Sequence, residues 1–287
     1  MRTSTRMVVL GRFKGVLDLI LAIASVAYGL RRLYGSWTGA AIRVERSSDN
    51  AQLDIGFTAS GDLDIAALLA FVGSGSGFVT IWYDQSGNNR HATQTTAGSQ
   101  PRIVNNGVLE TLNGKPSVRW DGSNDSLLLP SGFLFNQSQF SINMVTQAPP
   151  TNKLAAVFGP QNTNSRGLEL TYHGGYFYPT LIRINGTIRN IPQTSFFSTD
   201  NIPTISTLSS TPTVQNGWLN GSVFPSLSGG GNSPLNFNGT YAFGVFDANK
   251  FALMTMSEFI ITDTVLSTTD RQTLERNQGA YYTISVA

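Results

Sequence analysis

Phe78-Val-Thr-Ile-Trp-Tyr83, followed at once by Asp84-Gln85-Ser86-Gly87-Asn88-Asn89, decides the fold class. β-Branched and aromatic residues in a short run describe a strand, and the polar, glycine-containing stretch after it describes a tight turn. The same period of two returns in Ser117-Val-Arg-Trp-Asp121, Phe140-Ser-Ile-Asn-Met-Val145 and Thr180-Leu-Ile-Arg-Ile184. Between such runs stand Asn-Gly pairs at 106–107, 113–114, 185–186, 216–217, 220–221 and 238–239. A type I′ hairpin needs positive φ at both central residues, and Asn-Gly meets that need best. The pattern predicts an all-β fold, an antiparallel two-sheet jelly-roll sandwich. Regular strand-helix alternation is missing, which argues against a parallel α/β sheet.

Two short helices interrupt the strands. Asp62 or Asp64 is placed to cap Ile65-Ala-Ala-Leu-Leu-Ala-Phe71, with Gly73 closing it. Ser267, with Asp270 three residues on, resembles a capping box and starts a second helix through Arg276.

Composition narrows the chemistry. Of 287 residues, 40% are hydrophobic and 13% charged, a balance that supports a core and does not suit a disordered chain. No cysteine is present, so disulfides, thiolate metal sites and a cysteine nucleophile are excluded. The two histidines, His91 and His173, are far apart in sequence and make a multi-histidine zinc site improbable. A net charge of +2 gives no case for nucleic acid.

The charge is concentrated at the start, where residues 1–50 hold eight basic against three acidic side chains. Residues 1–27 read as a basic and apolar N-terminal arm, and residues 28–287 as the jelly roll. The apolar run Val16–Ala27 imitates a secretory leader, but Asp18 breaks it and it is too short to span a membrane. The arm is expected to dock on a neighbouring subunit.

Trp82-Tyr-Asp-Gln-Ser-Gly-Asn-Asn-Arg-His-Ala-Thr-Gln94 resembles the signature of the catalytic domain of α-L-arabinofuranosidase B, glycoside hydrolase family 54. Ala27-Tyr-Gly-Leu-Arg-Arg-Leu33 and Ala41–Asn50 are similar to that domain's opening. Leu112–Gly122 and Met256–Asp263 resemble segments of the wider concanavalin A-like superfamily. Similar openings also occur in bacteriophage structural proteins. The resemblance implies a concanavalin A-like jelly roll. It also implies two carboxylates, one a nucleophile and one an acid/base. Asp247, in Gly244-Val-Phe-Asp-Ala-Asn249, matches the acid/base. At the nucleophile's position the chain has Leu181-Ile-Arg-Ile-Asn-Gly186, without an acid, and Glu169 falls outside the match.

Sugar recognition combines aromatic faces with short polar side chains. Trp82, Tyr83, Asp84, Gln85, Asn88 and His91 gather such types at one strand end, with Trp120, Tyr172, His173, Tyr176 and Tyr178 as secondary glycan contacts. Trp82 and Tyr83 point to opposite faces of a strand, so at least one of them belongs to the core. Asp121-Gly-Ser-Asn-Asp125 carries the alternating oxygens of a short calcium loop, with Asp121 and Asp125 as ligands, yet it lacks the distal Glu of a full site and reads more readily as an ordinary turn. No other cofactor is implied.

With the nucleophile missing, the sequence reading favours a non-catalytic virion structural protein of phage type, a decoration, fibre or tail component. It would be homo-oligomeric, exposed on the virion surface, bound to other subunits through the arm and open to host-surface glycans. The alternatives are an arabinofuranosidase-like hydrolase using Asp247 and a free lectin-like module.

Overall fold

The computed structural model describes residues 13–131, 139–148, 155–160, 167–173, 176–184, 187–190, 201–211, 214–223, 227–228, 240–246 and 250–287. All strand pairings among them are antiparallel. One sheet runs through Gln52–Ile55, Ile42–Arg46, Gly77–Trp82, Arg102–Asn105, Val118–Asp121, Leu253–Thr262, Phe140–Gln147, Thr204–Ser210 and Val214–Leu219. The other runs through Ala92–Thr93, Leu127–Leu128, Tyr241–Phe243, Ala155–Pro160, Gly167–His173, Tyr176–Ile184 and Thr187–Asn190. Ile81 and Trp82 pair with Thr93 and Ala92, so the sheets are joined at that corner. The two-sheet jelly roll read from the strand pattern is what the chain forms.

Alternation along the strands builds the core. Val118 and Trp120 face inward with their partners Met256 and Met254, while Arg119 and Asp121 face outward with Thr255 and Leu253. Between the sheets, Phe243 of one lies 4.8 Å, centroid to centroid, from Phe259 of the other, edge to face. Trp82, Trp120, Tyr28 and Phe158 complete this aromatic cluster. Gly244, at φ +82, permits it: a Cβ there would lie 2.1 Å from the Trp120 ring.

Local signals acted largely as expected. Asn106-Gly107, Asn113-Gly114 and Asn220-Gly221 all take positive φ. Asn216-Gly217 does not turn, because both residues continue the ladder opposite Ser209 and Leu208. The pairs at 185–186 and 238–239 lie outside the described residues. Asp64 rather than Asp62 caps the first helix, Ile65–Val72, by accepting from the Ala67 N–H, and Gly73 closes it at φ +65. Ser267 caps the second helix by accepting from the Asp270 N–H, but the helix runs to Tyr282 instead of ending at Arg276. Asp270 does not turn back to complete the box; its carboxylate accepts from the Leu21 N–H.

The arm boundary drawn at residue 27 falls inside a strand. Ala24–Gly29 is buried at every position and pairs with Glu258–Thr262. Val16, Leu17 and Ile20 pack with Leu33, Ile260, Leu266 and Leu274. Burial in the sandwich therefore accounts for the apolar run from Val16 to Ala27. Residues 1–12 lie outside the description.

Candidate functional site

Four of the expected glycan contacts are interior. Trp82, Asp84 and Trp120 are 0% exposed and Gln85 is 2% exposed. A sugar cannot stack on a ring or grip a carboxylate that has no face toward solvent, so these residues are corrected to structural roles. Tyr83 is half-buried, donates its hydroxyl to Asp54 and meets His91 edge to face at 4.9 Å. Asn88 is exposed but donates to the Ser25 carbonyl. His91 Nδ1 accepts from the Asp84 N–H at 3.1 Å, and burial lowers the imidazole pKa against a raising influence from Asp84.

What the Asp84-Gln85-Ser86 turn does is fasten two strands. Asp84 Oδ1 accepts from the Ala27 and Ser86 N–H groups, both at 2.9 Å. Its Oδ2 accepts from the Ser86 hydroxyl at 2.8 Å and the Arg90 N–H at 3.1 Å. Gln85 Oε1 accepts from the Leu33 N–H, and Nε2 donates to the carbonyls of Gly29 and Arg31. Seven short links thus tie the turn to itself and to the segment 27–33. Recognition of such roles from sequence fails because a buried Asx-type knot and an exposed polar site use the same residue types.

A cleft opens elsewhere, on the outer face of the larger sheet. Cross-strand register lines up Phe78, Arg102, Arg119, Thr255 and Gln147 in one row. On one side of Arg119 a hollow of about 220 Å³ is lined by Phe78, Gln100, Arg102, Asp121 and Asp125. On its other side a hollow of about 250 Å³ is lined by Glu110, Gln147, Asn201 and Thr255. Arg102 is paired with Glu110 at 2.6 Å. The Arg119 side chain makes no hydrogen bond or ion pair among the described residues, and Gln100, 3% exposed, has its Oε1 without a partner among them.

Asp121 and Asp125, weighed in sequence as a turn or as calcium ligands, build a turn. Asp121 Oδ1 accepts from the Ser123 and Asn124 N–H groups, and Asp125 Oδ2 accepts from the Asp121 N–H. Among the described residues no three carboxylates or histidines gather as a metal site. Burial, and secondly the charge of Asp121, raises the Asp125 pKa to about 7. The folded chain therefore holds this proton more tightly than the unfolded one, and stability falls as pH rises from about 4 to about 7. Asp125→Asn keeps the acceptor for the Asp121 N–H and removes the buried charge. It is expected to raise Tm at pH 8 by roughly 5–10 °C, from about 2–4 kcal/mol, and to raise it little at pH 4. Equal shifts at both pH values in thermal melts would overturn this.

Residues 22–114 match the model of the family described as alpha-L-arabinofuranosidase B, catalytic. A probable alpha-L-arabinofuranosidase B of Aspergillus flavus is 37% identical over 95 residues, 30% of this chain and 19% of that enzyme. An alpha-L-arabinofuranosidase of Hypocrea jecorina is 38% identical over 77 residues, 27% of this chain and 15% of that enzyme. The chain thus aligns to under a fifth of these relatives' length. Among solved structures, an arabinofuranosidase complexed with arabinofuranosyl-alpha-1,2-xylobiose superposes with a TM-score of 0.68 at 16% identity, over 91% of this chain and 63% of that one. The receptor binding domain of botulinum neurotoxin D gives 0.53 at 12% identity, over 69% and 50%. These structural likenesses establish the fold.

The matches correct the functional reading. They relate the chain to an arabinofuranosidase catalytic domain, and the virion structural protein gives way to the hydrolase alternative. The matched span contains the whole Asp84 knot. Asp247 lies outside the described residues, as do the side chains of Tyr172, His173, Tyr176 and Tyr178.

Proposed function

We infer that this chain is a jelly-roll hydrolase domain that releases α-L-arabinofuranosyl residues from glycans. The observation that carries the reading is the match of residues 22–114 to the arabinofuranosidase B catalytic model. Asp247 is the acid/base, as the sequence resemblance implies. The backbone register supports a nucleophile that sequence alignment misses: Glu169 stands directly opposite Leu181, the first residue of the segment where the resemblance expects one. That backbone pairing is what favours Glu169 over the other acids of the chain as the nucleophile.

In this mechanism Glu169 attacks the anomeric carbon as the glycosidic bond breaks, and Asp247 gives its proton to the departing oxygen. Asp247 then takes a proton from water, whose oxygen displaces Glu169 and frees the sugar. Release of 4-nitrophenol from 4-nitrophenyl α-L-arabinofuranoside tests this. Asp247→Asn and Glu169→Gln are each expected to lower kcat at least hundred-fold with Tm unchanged. No turnover by the wild-type chain overturns the reading, and full turnover by Glu169→Gln removes that residue from it.

A further inference from the structure

Beyond hydrolysis, we propose that the outer-face hollow between Phe78 and Arg119 is a saccharide-binding site that holds one neutral sugar residue of a glycan. The donors and acceptors are arranged for hydroxyl groups. Arg119 projects from the sheet between the two hollows with its guanidinium unengaged by the described residues, so its N–H groups are available to sugar oxygens. Asp121 is exposed on the rim, and only its Oδ1 is used by the turn, which leaves Oδ2 to accept from a hydroxyl. On the inner wall the Gln100 amide carries a buried acceptor with no partner among the described residues. Such an orphan is costly in a folded chain, and the terminal amide torsion is soft enough to turn it to an incoming O–H.

The apolar side is supplied by Phe78, half-buried on the outward face and absent from the aromatic core. A ring beside hydrogen-bonding groups suits the C–H face of a sugar with its hydroxyls at the edge. Charge argues against a metal ion as occupant. Arg102 and Arg119 line the same hollow as Asp121 and Asp125, and two guanidinium groups beside the carboxylates repel a cation. The wall is also firmly built. Asn124 donates to the Gly98 carbonyl at 2.6 Å and the Ser126 N–H to the Ser99 carbonyl at 3.0 Å, which fasten the Asp121–Asp125 turn to the segment 97–99.

The site is tested on the full chain carrying Asp247→Asn, so that a ligand is not consumed. Arabinofuranosyl-xylobiose and xylotriose are titrated by calorimetry, with calcium chloride titrated separately. Binding of either sugar in the millimolar range or tighter is expected, weakened at least ten-fold by Arg119→Ala and by Phe78→Ala, with Tm unchanged by the arginine variant. Sugar binding that both variants leave intact overturns the proposal, because the sugar then sits elsewhere. Calcium binding without sugar binding overturns it in favour of a cation loop, and binding of neither overturns it outright. Turnover of the aryl arabinofuranoside by Arg119→Ala in the Asp247 parent separates this site from the hydrolase reading, since the two can then fail independently.

Discussion

Glu258→Ala is expected to destabilise the fold by about 3–5 kcal/mol, the cost of leaving a buried ion without its partner. Glu258 is 0% exposed in the middle of the long closing strand. It forms a salt bridge with Arg31 and accepts from Gln278 Nε2 and the Tyr282 hydroxyl, each at 2.9 Å. Gln278 in turn donates to Asn143, and Arg31 donates to Asn277. One carboxylate thus connects the loop after the first strand, two neighbouring strands and the C-terminal helix. Truncation strands the Arg31 guanidinium, which is left with the Asn277 Oδ1 as acceptor and the Tyr281 and Tyr282 rings beside it. Against a total stability of about 5–15 kcal/mol, the loss leaves a chain that unfolds early in urea. Glu258→Gln keeps an acceptor for Tyr282 and is expected to lose less. Urea unfolding by circular dichroism reads both, and a change below about 1 kcal/mol for Glu258→Ala would show that this network does not hold the helix down.

Asp84→Ala is the second large effect, expected at about 3–5 kcal/mol. Four donors lose their acceptor at once: the N–H groups of Ala27, Ser86 and Arg90, and the Ser86 hydroxyl. Hydrogen bonds to a charged group contribute about 1.5–3 kcal/mol each, and they do not add fully. Asp84→Asn retains one acceptor oxygen and turns an NH₂ toward donors, so it falls between wild type and Ala. The discriminating outcome is the combination measured. A structural knot lowers Tm and leaves sugar affinity of the remaining folded protein unchanged, whereas a glycan contact does the reverse. Unchanged Tm in Asp84→Ala would return this turn to the ligand-binding residues.

Much of the architecture was legible because it rests on local physics. Period-two runs such as Phe78–Trp82 and Val118–Asp121, positive-φ pairs such as Asn106-Gly107, and the caps at Asp64 and Ser267 act over a few residues, and a chain displays them without folding. Asn216-Gly217 shows the limit: its turn preference yields to a ladder of cross-strand bonds that only the partner strand 204–210 supplies. The end of the second helix was misread for a similar reason. Its last turn is held by tertiary contacts of Gln278 and Tyr282 with Glu258, which a helix-propensity reading does not contain.

Side-chain roles divide along the same line. The sequence by itself determined the fold class, the strand that carries Trp82, the family likeness of the Trp82–Gln94 stretch and the exclusion of cysteine chemistry. Tertiary structure decided that Trp82, Asp84, Gln85 and Trp120 face inward, that Glu169 stands across from Leu181, and that Gln100, Arg119, Asp121 and Asp125 line one hollow. Composition and spacing fix which groups a chain owns and its local geometry. Burial and juxtaposition depend on which distant strands become neighbours, and that is settled only when both sheets close on their common core.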